Sequence, residues 1–134
     1  MIKELTKQYQ ENKHLLQKYF ENTKQSEHTY ENIVKKIFEL CILKADDYNN
    51  FDIEKMKVID DGDYQGTTIY IIPKNNYQPS VNDYVYTNNY YGSCSGCDTL
   101  LAISEYSEDL PTKKQIKEYM LIALHLVQKL NWLK

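Results

Sequence analysis

The chain has no arginine. All 16 basic residues are lysine, set against 19 acidic residues, for a formal net charge of -3. Without a guanidinium there is no bidentate clamp for a phosphate or carboxylate. Nor is there the side chain that most often reads guanine in a major groove. No strongly basic block supplies an electrostatic footprint, so strong nucleic-acid binding is not expected. Cysteine is scarce too. Three residues, Cys41, Cys94 and Cys97, do not make a disulfide framework, and 134 residues can bury a core without one. Long apolar runs are absent. The longest, residues 119–127, falls far short of a membrane span and contains His125. The N-terminal MIKELTKQYQENKHLL has no apolar signal-peptide stretch. A cytoplasmic protein with no membrane partner is the expectation.

What is present fits one folded domain. Hydrophobic content of 42% and charged content of 26% lie in the globular range, and a single domain over 1–134 is expected. Residues 2–22 carry Ile2, Leu5, Tyr9, Leu16, Tyr19 and Phe20 near helical spacing. The stripe is narrow and weakens at Asn12-Lys13. This helix is therefore expected on the periphery, docked on a partner or pairing two copies as a homodimer. Residues 26–44 predict a second helix with Ser26 as N-cap and Cys41 as a buried thiol. Residues 56–60 and 67–72 read as strands joined by a turn-rich connection. Residues 83–91 read as a third strand, and 99–103 as a fourth strand in preference to a helical turn. Residues 112–132 predict the best helix, with Thr112 and Gln115 as a capping box. Its core stripe is read as Ile116, Met120, Ala123, Leu124, Val127 and Leu130. The fold class is α+β: two N-terminal helices, a three- to four-stranded mainly antiparallel sheet, and a buried C-terminal helix.

The most informative segment is Gly92-Ser93-Cys94-Ser95-Gly96-Cys97-Asp98. Two thiols three apart can share a metal, but a structural zinc normally needs four ligands. No second C-x-x-C exists, and His14, His28 and His125 each stand alone. No cofactor is expected; a homodimer pooling two cysteine pairs is the zinc alternative. Redox use would want the pair at a helix start after the first strand of a βαβ unit, which is not the pattern here. Nucleophilic use would want a local base signature, also missing. The same loop reads equally as a tight turn, with glycines taking positive φ and cysteines packing as small hydrophobes, or as a backbone nest for an anion.

Tyrosine is the second constellation, with 13 in the chain. Tyr84 and Tyr86 alternate with Val85 and so share a sheet face, while Tyr90 and Tyr91 abut the cysteine loop. Such a row is either a recognition surface or simply an outer face built of Tyr, Thr and Asn. The acidic run Asp60-Asp61-Gly62-Asp63 lacks the spacing and terminal Glu of a calcium loop and reads as a solvated turn.

The string Tyr90-Tyr91-Gly92-Ser93-Cys94-Ser95-Gly96-Cys97-Asp98-Thr99-Leu100, with Leu110-Pro111-Thr112, Tyr119-Met120 and Ala123-Leu124-His125-Leu126 behind it, resembles small proteins carried by phages and prophages of low-GC Gram-positive bacteria. The resemblance covers roughly residues 66–132. It implies a phage accessory role in the host cytoplasm and assigns no catalysis. The expected function is a non-enzymatic protein that binds and inhibits a host protein, such as an anti-CRISPR-type defence inhibitor. Its expected binding residues are Tyr84, Tyr86, Tyr90, Tyr91, Gly92, Ser93, Cys94, Ser95, Gly96, Cys97 and Asp98. The alternatives are a metal- or thiol-dependent protein using Cys94 and Cys97, and a sponge for a small nucleotide.

Overall fold

Three helices and four strands make up a computed structural model that describes residues 2–42, 51–62, 66–75, 79–92, 100 and 109–133. The first helix, α1 (Ile2–Glu21), is long and mostly polar. Its thin stripe is nevertheless fully used. Leu5, Tyr9, Leu16 and Phe20 are buried by the rest of the chain. The helix docks on its own chain along this stripe. A narrow stripe suffices because α1 lies between two other helical segments, and the weak point at Asn12 has a structural task. The Asn12 amide donates to the carbonyls of Gln8 (3.0 Å) and Cys41 (3.1 Å). Cys41 lies in Ile37–Ile42, a π-helical continuation of α2 (Tyr30–Lys36). Such wide turns spoil the regular carbonyl ladder, and an outside amide can satisfy what is left over. Cys41 itself is a buried thiol.

Ser26 is not the cap of the second helix. It falls in a single 3-10 turn, Gln25–Glu27, and Thr29 caps α2 by accepting from the Asn32 N–H at 3.1 Å. The turn is held by Gln25, which is buried although polar. Its N–H donates to the Asp109 carbonyl (3.0 Å), and its side-chain oxygen accepts from the Tyr119 hydroxyl (3.3 Å). These partners are distant in sequence, so propensity alone pointed to the wrong cap.

The capping box of α3 (Lys113–Gln128) is present in both directions, at 3.2 Å and 2.8 Å. Its buried face is Ile116, Tyr119, Ile122, Ala123, Leu126 and Val127, with Leu130 beyond the helix end. Met120 and Leu124 are only partly buried, so the helix is turned from the expected stripe toward Tyr119. That residue stacks on Phe20 (5.4 Å between centroids), and His28 meets both rings edge-on at 4.9 and 4.8 Å. Aromatic pairs contribute about 0.5–1.5 kcal/mol each beyond their buried area. The ion pairs among the described residues, Lys35–Glu31, Lys36–Glu39 and Lys55–Asp52, are local and at the surface. Helix pairs of this kind contribute about 0.3–0.5 kcal/mol. Burial, not charge pairing, holds the fold.

The strands β1 (Lys57–Asp60), β2 (Gly66–Pro73), β3 (Tyr84–Tyr91) and β4 (Asn131–Trp132) form one antiparallel sheet in that spatial order. The last strand replaces the end of the expected 112–132 helix. The chain leaves the helix at Gln128 because Trp132 has a better place on the sheet. There it lies beside Phe51 (6.1 Å between centroids) and under the Lys74 ammonium (5.0 Å). The Leu133 N–H completes the pairing on the Tyr84 carbonyl at 2.9 Å. Of the expected 99–103 strand only Leu100 is described, and it is helical. No described helix is long and apolar enough to cross a membrane.

One face of the sheet is covered by helices: α3 packs on β3, α2 and its continuation line the same space beside Thr87, and α1 packs on those helices. Alternation places Tyr70 and Ile72 of β2 and Val85, Thr87 and Asn89 of β3 on that face, and all are buried. The Thr87 hydroxyl donates to the Leu126 carbonyl at 2.7 Å, joining β3 to α3.

His28 gives this packing a pH dependence. Its Nε2 lies 3.2 Å from the Thr23 carbonyl, while Nδ1 is buried with no hydrogen-bond partner among the described residues. Burial lowers its pKa below the ordinary 6.5, against smaller opposing effects from backbone carbonyls and Glu27. The folded protein therefore resists a proton that the unfolded chain accepts below 6.5. Stability should fall as pH drops from 6.5 toward the lower folded value, and level off beneath it. Urea denaturation between about pH 7.5 and about pH 5 should show this loss, and His28→Phe should flatten it. An equal loss in the variant would exclude His28 as its source.

Candidate functional site

The sheet's other face is the first candidate. Register and alternation put Tyr84, Tyr86, Asn88 and Tyr90 of β3 there, beside Pro73, Ile71, Ile69 and Thr67 of β2. Ile59 and Lys57 of β1 extend the rows past Ile69 and Ile71. Ile59 is 49% exposed and Tyr90 53%, while Ile69, Ile71, Tyr84 and Tyr86 are half-buried among one another. On the opposite face Tyr70, Ile72, Val85, Thr87 and Asn89 are buried, while on the outer face Pro73 alone is. The outer surface is therefore apolar and tyrosine-rich, and no described helix covers it.

Tyr91 stands apart from this row. It shares alternation with Asn89 and faces the other way. Opposite it on β2 is Gly66. The Tyr91 hydroxyl meets the Asp60 carboxylate and, at 2.7 Å, the Gly62 carbonyl. Asp60 also accepts the Gly62 N–H at 3.0 Å, and Asp61 accepts the Thr67 N–H at 2.7 Å. A Cβ on Gly66 would come within 2.5 Å of the Asp61 carboxylate. The Asp60 and Asp61 carboxylates thus serve backbone and tyrosine donors. Asp60 is held below the usual carboxylate range, first by the Tyr91 hydroxyl and then by the Gly62 N–H.

The second candidate is a cleft of about 170 Å³ between β3 and α3, lined by Tyr30, Asn89, Tyr90, Ile122, His125, Leu126 and Lys129. Asn89 is only 5% exposed, and its side-chain oxygen has no hydrogen-bond partner among the described residues. Its amide nitrogen reaches only the Tyr90 carbonyl, at 3.4 Å. Buried amide atoms are rarely left unsatisfied. His125 and Lys129 bring imidazole and ammonium groups to the wall. Sequence reading missed Asn89 because an Asn in a Tyr-Asn strand looks like ordinary outer-face composition; only its register places it inward.

Of the expected binding residues, Tyr84, Tyr86 and Tyr90 share the outer face. Tyr91 secures the turn, and Gly92 is buried at the start of the cysteine loop. Ser93, Cys94, Ser95, Gly96, Cys97 and Asp98 lie outside the described residues, as does any zinc site they would form. Among the described residues no three His, Cys, Asp or Glu side chains gather as metal ligands. His28 is buried, whereas His14 and His125 are exposed on different helices.

Tyr91→Phe should return the Asp60 pKa toward the ordinary carboxylate value, which a carboxyl-carbon NMR titration reads directly. An unchanged midpoint would show that the tyrosine does not hold the turn. Comparisons with family models, with curated proteins and with solved structures found no match to this chain.

Proposed function

We propose that the protein is a non-enzymatic binding protein that seizes a bacterial host protein through the outer face of its sheet, as a phage accessory factor would. The observation that carries this reading is the contrast between the two faces. One is covered by helices. The other presents Ile59, Ile69, Ile71, Tyr84, Tyr86 and Tyr90 in register with no described helix over them. Large apolar patches on soluble domains mark interaction sites, and tyrosine supplies rigid contact area with a polar tip at low entropic cost. The resemblance in the cysteine-loop string supports a host protein, including a defence component, as the partner.

Paired Tyr86→Ala and Tyr90→Ala substitutions should weaken host-protein capture by about tenfold or more. They should change folding stability by no more than about 1 kcal/mol, because neither side chain is in the core. A photo-crosslinking residue at position 86 should label the partner, and one at Lys114 on α3 should not. Equal labelling from both positions would contradict the assignment of the face.

The unsatisfied amide of Asn89 favours one second reading, a sponge for a small nucleotide or a similar planar anion. Tyr30 lines the cleft, the Asn89 oxygen would accept an N–H from the ring edge, and Lys129 would meet the negative charge. On this reading, native mass spectrometry of freshly purified protein should carry a small-molecule mass excess that Asn89→Leu removes. A bare chain mass that stays bare after incubation with a nucleoside monophosphate would rule it out.

A further inference from the structure

The strand β1 lies at the edge of the sheet, and all four of its residues are exposed. Edge strands of natural proteins are usually blunted. Here the middle of the edge is apolar on both faces, with Val58 42% and Ile59 49% exposed. The helical layer does not reach Val58, so neither side of the strand is sheltered.

The backbone fixes which groups are free. The Asp61 N–H donates to the Thr67 carbonyl at 3.2 Å. In an antiparallel ladder, hydrogen-bonded and non-bonded pairs alternate. Residues 57, 59 and 61 therefore turn their peptide groups toward β2, and Val58 and Asp60 turn theirs to the open edge. A second antiparallel strand must bond through these two residues.

We infer that the partner at this edge is a second copy of β1, paired antiparallel about a two-fold axis through Ile59. Opposed residues in an antiparallel pair share a face, so only registers opposing residues of like parity are allowed. With Ile59 opposite its own copy, Val58 and Asp60 exchange hydrogen bonds with Asp60 and Val58 of the other chain. Lys57 then stands opposite Asp61 at both ends, and opposite charges in cross-strand pairs are favourable. Centring on Val58 would call on the Met56 N–H, which already donates to the Ile53 carbonyl at 3.1 Å. Centring on Asp60 would set two carboxylates against each other. The strand is thus complementary to itself in the one register its free groups permit. The result is a continuous eight-stranded sheet with a doubled outer face. This association does not rest on the host-protein reading, since its hydrogen bonds come from the backbone edge of β1, although Ile59 also belongs to the outer face.

Ile59 and its copy would form a non-hydrogen-bonded pair, whose Cα atoms lie about 4.5 Å apart. That separation is within disulfide range. Ile59→Cys should give a covalent dimer under mild oxidation, with a 59-to-59 linked peptide on mass mapping. Val58→Cys should not, because Val58 faces Asp60. Sedimentation of the native-sequence chain under reducing conditions should show concentration-dependent dimer, weakened about tenfold or more by Lys57→Glu. Circular dichroism confirms that each variant is folded. A folded Ile59→Cys chain without the 59-to-59 link, or equal linking through Val58→Cys, would overturn the proposal.

Discussion

The arrangement rests on one aromatic junction. Phe20 of α1, Tyr119 of α3 and His28 from the turn between α1 and α2 pack ring against ring in the buried interior. The Tyr119 hydroxyl reaches Gln25, whose backbone reaches Asp109 just before α3. This junction ties both ends of the helical layer together. It holds α1 against α3 and against the turn that leads into α2. With Thr87 bonded to Leu126, the layer is also locked to β3. The uncovered face follows directly. Among the described residues the helices are committed to one side, and the strands still need apolar and aromatic residues to pair well.

Seen this way, the polar features are local solutions to that plan. The Tyr91 hydroxyl reaches Asp60 and Gly62 and holds their turn. Asn12 serves a carbonyl of the π-helical run. His28 fills an aromatic pocket as a neutral ring and leaves one nitrogen without a partner among the described residues. Asn89 is different. No described neighbour serves its oxygen, and it faces a cleft. A polar group that the fold leaves wanting is a better pointer to ligand chemistry than a charged one on the surface.

Much of the fold was legible because it depends on period. The strand alternation around Val85, the 67–72 strand and the Thr112 capping box are local patterns, and each is found where the sequence places it. The departures come from contacts that no window contains. Thr29, not Ser26, starts α2 because Gln25 is claimed by Tyr119 and Asp109. The C-terminal helix ends early because Trp132 meets Phe51 and Lys74 across the sheet. The turn of α3 toward Tyr119 reflects a ring partner in α1. As for the site, the Tyr84–Tyr86 row was readable from alternation. The same rule separates Tyr91 from Tyr90, although adjacency to the cysteine loop had suggested grouping them. Asn89 was invisible because composition says nothing about the face a strand residue takes.

The central claim is that one face of the sheet is packed and the other is open. Solvent paramagnetic relaxation with an inert gadolinium chelate, read on isoleucine methyls, tests it most directly. Dilute protein keeps chains apart. The account predicts strong relaxation at Ile59, weaker but clear relaxation at Ile69 and Ile71, and protection at Ile72 and Ile33. Protection of Ile69 and Ile71 equal to that of Ile72 would mean that something covers the outer face, and would contradict the account.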